Sequence, residues 1–139
     1  MPHACKALVI RCMDFRFISA INEYLESKNL LNHCDIVAAA GAVKNFASPE
    51  HELDREFLMR QIDIAKRLHG IREVILINHT DCGAYGGRKA FTSREEEREK
   101  HSEELRAAAT MVAERYPSLA IQTLIADIED SGEINIKTA

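Results

Sequence analysis

The sequence predicts an α/β fold built from βαβ units around a mostly parallel sheet. Two observations carry this. Short apolar runs alternate with helix-patterned stretches from one end of the chain to the other. The two clearest runs, Ala7-Leu8-Val9-Ile10 and Val74-Ile75-Leu76-Ile77, are apolar at every position, as buried strands are. With 139 residues the chain forms one domain, long enough to bury a core.

The first strand runs from about Lys6 to Cys12, and a helix follows from about Phe15 to Ser27 with Phe17/Ile18, Ile21 and Leu25 on one face. The second strand is Asp35–Ala40, stopped by Gly41. Ser48-Pro49 predicts a helix start, Ser as N-cap and Pro at the first helical position. Its stripe is Phe57/Leu58, Ile62, Ala65 and Leu68, and Gly70 caps its end. The third strand is Glu73–Asn78. Ser93-Arg94-Glu95-Glu96 has capping-box spacing and opens a long helix whose buried face is Leu105, Ala108/Ala109, Val112 and Tyr116, with Pro117 as the stop. The fourth strand spans Ala120 to about Asp127. Asp130-Ser131-Gly132 then turns into a short last strand, Glu133–Lys137.

A net charge of −4 leaves no basic footprint for nucleic acid. No apolar run is long enough for a bilayer, and the start Met1-Pro2-His3-Ala4-Cys5 has no charged-then-apolar leader pattern. The expected location is therefore the cytosol, where Cys5, Cys12, Cys34 and Cys82 serve as thiols or metal ligands rather than disulfides. The charged run Arg94–Glu104 reads as the solvated first turns of a helix. The glycines of Gly83-Ala84-Tyr85-Gly86-Gly87 lack P-loop spacing and read as a tight backbone turn.

Two fragments carry the chemistry. Cys12-Met13-Asp14-Phe15-Arg16 follows the first strand and His79-Thr80-Asp81-Cys82-Gly83 follows the third. Sites in open parallel sheets form at the carboxyl ends of strands. If these two strands are neighbours, Cys12, His79 and Cys82 converge there as three zinc-type ligands with a fourth position to spare. Asp14 can fill that position or orient a water, and Arg16 can hold Asp14 through a bidentate guanidinium pair. Asp14 also suits a plain N-cap. Cys5 and Cys34 read as structural, and His3, His33, His51, His69 and His101 as surface or helix residues without ligand spacing.

Cys12-x-Asp14-x-Arg16 with the later His79-x-x-Cys82-Gly83 resembles the zinc site of the β-class carbonic anhydrases. Asp35–Gly41 with Ala42 resembles that family's second strand and small-residue turn, and Asp127–Ile136 its last hairpin, so the resemblance spans nearly the whole chain. It implies a three-layer domain with parallel strands in order 2-1-3-4 and a short antiparallel fifth. It also implies one zinc ion per chain on Cys12, His79 and Cys82, with Asp14 as an alternative fourth ligand. The implied reaction is reversible hydration of CO2 to bicarbonate by zinc-bound hydroxide, with Asp14 and Arg16 catalytic and Gly41, Ala42 and Gly83 beside the substrate. Phe15, Phe17, Val43 and Phe46 are candidates for an apolar wall.

Several positions depart from the family pattern. Ala38-Ala39-Ala40-Gly41-Ala42 stands where the family carries Arg-Asn-Ala-Gly-Asn, so the arginine that helps bind inhibitory bicarbonate in pH-switched members has no counterpart. Asn78 replaces the usual Gly before the histidine. The first strand begins too early in the chain for the family's N-terminal helical arm, which implies apolar surface left for a homodimer to cover. Hydrolysis of COS or CS2 on the same scaffold, and zinc binding without catalysis, are the alternatives. A Cys12-based phosphatase or sulfurtransferase lacks the Cys-x5-Arg loop.

Overall fold

The computed structural model describes residues 3–139; Met1 and Pro2, part of the start read above for a leader, lie outside the described residues. Five strands, β1 (Ala7–Arg11), β2 (Cys34–Ala38), β3 (Glu73–His79), β4 (Ala120–Ile128) and β5 (Ile134–Thr138), form one sheet in the order β2-β1-β3-β4-β5. The first four are parallel, and β5 returns antiparallel along β4. Val9 of β1 stands level with Ile36 of β2 and Ile75 of β3, which makes β1 and β3 neighbours.

The alternation of side chains along the strands sends β1 and β3 to both faces at once. Ala7, Val9, Ile75 and Ile77 pack under α1 (Ile18–Ser27) with Phe17, Ile21 and Leu25. Leu8, Ile10, Val74 and Leu76 pack on the other face against α3 (Glu52–His69) and α4 (Arg94–Arg115), with the short α2 (Lys44–Ala47) alongside. This is why the two central strands carry unbroken apolar runs. The β1-to-β2 connection crosses one face and the β2-to-β3 connection the other. The carboxyl ends of β1 and β3 therefore flank a crevice at a topological switch point. No helix among the described residues is long and apolar enough to cross a membrane.

The structure corrects four expectations. Ser48 does not start a helix; it closes α2, its N–H donating to Lys44 O at 2.9 Å, and its hydroxyl donates to Glu104 Oε1 at 2.5 Å. With that hydroxyl engaged by a buried carboxylate, α3 begins at Glu52 instead. Second, the buried stripe of α3 is Leu58, Met59, Ile62 and Ala65, which leaves Phe57 50 % and Leu68 59 % exposed. Third, Ser93 caps α4 by accepting from Glu96 N at 3.0 Å, but the Glu96 carboxylate turns back to Thr92 rather than to Ser93. Fourth, the start of α4 is not simply a solvated face: Glu97, His101 and Glu104 are buried. Gly70 does cap α3 in the left-handed region, with φ at +61°.

Candidate metal centre

The chain emerging from β1 brings Cys12 into the crevice, and the end of β3 brings His79, with Cys82 three residues on. All three are buried, and their ligand atoms lie within 4.8 Å of one another. Backbone geometry sets each one. Asp81 adopts a left-handed φ of +54°, which Asp tolerates better than most residues. That bends the chain so that Cys82 turns back beside His79. The turn closes when Gly87 N donates to Cys82 O at 2.9 Å. Gly87 itself has φ +75°, and a Cβ there would stand 3.3 Å from Asp81 Oδ1.

His79 is oriented from both sides. Its Nδ1 lies 2.7 Å from the Thr80 carbonyl, which can only accept, so the proton sits on Nδ1 and the Nε2 lone pair faces the crevice. The ring packs on Phe17, centroids 4.1 Å apart. Among the described residues, buried Nε2 has no hydrogen-bond partner. An unpartnered buried lone pair is costly in a protein interior and normal in a metal ligand.

The two sulfurs sit among backbone N–H groups. Gly41 N donates to Cys12 Sγ at 3.4 Å, and Asp14 N faces the same sulfur. Ala84 and Tyr85 N–H groups face Cys82. The Cys82 thiol facing Cys12, with the Gly41 N–H adding to the effect, holds the Cys12 thiol below the ordinary cysteine range. Cys82 is correspondingly pushed up by that contact and by burial. Gly41 must be glycine here: φ is +79°, and a Cβ would meet that of Ala84 at 2.9 Å.

Asp14 and Arg16 stand at the rim. Arg16 Nη2 lies 2.8 Å from Asp14 Oδ2, Arg16 Nε lies 3.1 Å from Oδ1, and the Arg16 backbone N–H donates to Oδ1 at 2.9 Å. Arg16 holds the Asp14 carboxyl below its usual range. Asp14 Oδ2 is 3.8 Å from His79 Nε2, outside the buried trio but facing it. The N-cap role and the pairing role therefore coexist. Arg16 also donates to Asp81 Oδ2 and to Asp81 O, each at 3.0 Å, and so ties the two motif loops together.

Gly41 and Gly83 line an open cleft of about 710 Å³ together with Cys12, Met13, Phe15 and Arg16. Ala42 does not line it; it is fully buried behind Cys12 and Cys82, with φ at +43°. Of the four wall candidates, only Phe15 faces the cleft, 81 % exposed. Phe17 is spent on His79, and Val43 and Phe46 are core.

Sequence reasoning missed the supports behind the loop. Asp81 Oδ1 accepts from Arg88 N at 2.8 Å, and Glu97 Oε2 accepts from Asp81 N at 2.7 Å. Asn78 receives the Val43 N–H at 3.2 Å on Oδ1, and its amide reaches His101 Nδ1 at 3.0 Å and the Tyr85 hydroxyl at 3.2 Å. The departure from Gly at position 78 thus supplies a buried polar anchor. The one signal for Asp81 was its place inside His79-x-x-Cys82; for Asn78, Glu97 and His101 there was none in the linear pattern.

The fold and the centre together define an α/β protein with a buried Cys-His-Cys trio at the switch point of a parallel sheet. Residues 2–135 match the family described as "Putative carbonic anhydrase", and the chain belongs to that family. It is similar to an uncharacterized protein of Rickettsia bellii, 27% identical over 125 residues that cover 88% of this chain and 76% of the relative. A protein of Rickettsia conorii is 26% identical over 125 residues, covering 88% and 67%. The fold is similar to that of a carbonic anhydrase from Streptococcus mutans, with TM-score 0.63 and 20% identity over 98% of this chain and 84% of that one. It is also similar to beta-carbonic anhydrase isoform I from Trichomonas vaginalis, with TM-score 0.59 and 14% identity over 99% and 86%.

Proposed function

We propose that this chain holds zinc at Cys12, His79 and Cys82 and catalyses the reversible hydration of CO2 to bicarbonate, with Asp14 and Arg16 acting beside the metal. The observation that carries the reading is the buried, unpartnered Nε2 of His79 beside two cysteines. Two thiolates and an imidazole suit the borderline softness of zinc and balance its charge. Zinc supplies the Lewis acidity that makes water nucleophilic at accessible pH.

The chain's own residues do the rest. Asp14, kept ionised by Arg16, can only accept hydrogen bonds on its carboxylate. Facing His79 Nε2 at 3.8 Å, it would accept a hydrogen bond from a water held beside the trio and so orient that water toward the cleft. Arg16 prevents Asp14 from swinging inward, and Asp81 fixes Arg16 in turn. Met13, Phe15, Gly41 and Gly83 give part of the cleft wall an apolar or small lining, which suits an uncharged triatomic substrate.

Stopped-flow CO2 hydration by zinc-loaded protein, at neutral and alkaline pH, tests the proposal. Zinc-dependent turnover that rises with pH is the expected result. Full zinc occupancy without CO2 turnover would overturn the catalytic assignment, and parallel assays with COS and CS2 would then distinguish a hydrolase from a binding protein.

A further inference from the structure

A second group of metal-type ligands lies at the opposite end of the sheet. Cys5 stands two residues before β1, Asp35 is the second residue of β2, and His69 is the last residue of α3. Cys5 and Cys12 bracket β1, so the strand rise of ~3.3 Å per residue separates the two groups by about 23 Å. We propose that Cys5, Asp35 and His69 form a second site for a divalent cation of zinc type.

Three separate elements converge to make it. Asp35 stands level with Leu8, whose side chain faces the α3 layer. Cys5 packs against the same layer, and its backbone N–H donates to the His69 carbonyl at 3.1 Å. The ligand atoms of the three residues lie within 4.8 Å of one another, and His69 Nδ1 is 2.6 Å from Asp35 Oδ2. Ligands around tetrahedral zinc are ~3.4–3.7 Å apart, given bond lengths of ~2.0–2.3 Å. The His69–Asp35 pair must therefore open by about an ångström, which is within side-chain reach.

The chemistry selects the ion. A thiolate, a carboxylate and an imidazole suit zinc and exclude magnesium or calcium as a good fit. Binding displaces the proton of the Cys5 thiol, because the thiolate is the ligand form. One thiolate and one carboxylate neutralise the ion. The C-terminal end of the 18-residue α3, where His69 sits, adds a field that favours a cation. The His3 ring stands 4.9 Å from that of His69, centroid to centroid, and offers a further imidazole nearby. In the single chain the side chains of His69 and Asp35 are 24% and 31% exposed, so an ion can reach them from solvent. Cys34, although adjacent to Asp35, packs on the α1 face and takes no part.

Equilibrium dialysis of the full chain against buffered micromolar zinc, followed by elemental analysis, tests this independently of the Cys12 centre. Cys5→Ser and His69→Gln are each expected to bind one zinc fewer per chain than the parent, while Cys34→Ser matches it. Zinc should also raise the melting temperature of the parent more than that of either variant. His69→Gln keeps a hydrogen-bonding side chain on Asp35 and decides the matter if Cys5→Ser does not fold. Equal zinc content in parent and His69→Gln would overturn the proposal.

Discussion

Asp14 Oδ2 lies 2.8 Å from Nη2 of Arg16 and 3.8 Å from Nε2 of His79, so one carboxylate oxygen faces both a guanidinium and the buried imidazole of the Cys12/His79/Cys82 trio. A small torsional change would carry Asp14 from one to the other. Arg16 is itself anchored on Asp81, which makes the outward position the favoured one.

This arrangement predicts different outcomes for the two partners. Asp14→Asn keeps the shape but loses the negative acceptor, so zinc should stay bound while CO2 hydration falls ~10²–10⁴-fold. Arg16→Ala should release Asp14 toward the trio. Activity then drops most at neutral pH and partly recovers at alkaline pH, where hydroxide competes for the place Asp14 takes. Identical pH–rate profiles for the parent and Arg16→Ala would remove the gating role.

Loss of a ligand should be visible in composition and in stability. Replacing Cys12, His79 or Cys82 by Ala is expected to abolish zinc binding at that centre and lower the melting temperature, because the bound ion stabilises only the folded chain. In the loaded protein, X-ray absorption should report Zn–S near ~2.3 Å and Zn–N near ~2.0–2.1 Å. A Cys82→Ser chain with that coordination intact would refute the ligand set.

His101 offers a pH test of the hidden polar layer. Burial first, with the positive charge of Lys100 adding to it, pushes its pKa down to about 4, against ~6.5 in an unfolded chain. A depressed histidine favours the neutral folded form, so its contribution is complete above about pH 6.5 and is lost as pH falls toward 4. Between pH 7 and pH 5 that amounts to about 2 kcal/mol. Urea unfolding at the two pH values should show this loss in the parent and a smaller one in His101→Gln. An equal loss in both would mean His101 is not the group responsible.

The legibility of the chain follows from where its constraints are local. Strand identity and the Cys12/His79/Cys82 trio were readable because each depends on a short run: an apolar stretch, then a ligand at its end. The adjacency of β1 and β3 came only through family resemblance, since pairing is a long-range property with no local mark. The phase of α3 was misread because Phe57 and Leu68 are apolar yet face outward, where periodicity cannot tell core from surface. Glu97, Glu104 and His101 were hidden by a similar ambiguity. Charged residues at the start of a helix look solvated until Asp81, Ser48 and Asn78 are seen to meet them.

Those outward apolar residues motivate the last prediction, a homodimer. β2 is an edge strand with Ile36 44 % exposed; Leu53, Phe57 and Leu68 of α3 are 75 %, 50 % and 59 % exposed. Ile36 and Leu68 line one groove of about 230 Å³ between the edge strand and α3. An open strand edge beside exposed apolar side chains is a surface that a second copy covers well, through a self-complementary two-fold contact. Sedimentation at micromolar concentration should therefore give a dimer. Leu68→Asp places a charge in the groove and should weaken association by at least tenfold, about 1.4 kcal/mol. Since Leu68 is already solvent-exposed in the single chain, the same change should leave the monomer's own stability within ~0.5 kcal/mol. A monomeric parent, or a Leu68→Asp variant that dimerises as tightly as the parent, would show that this face is not the interface.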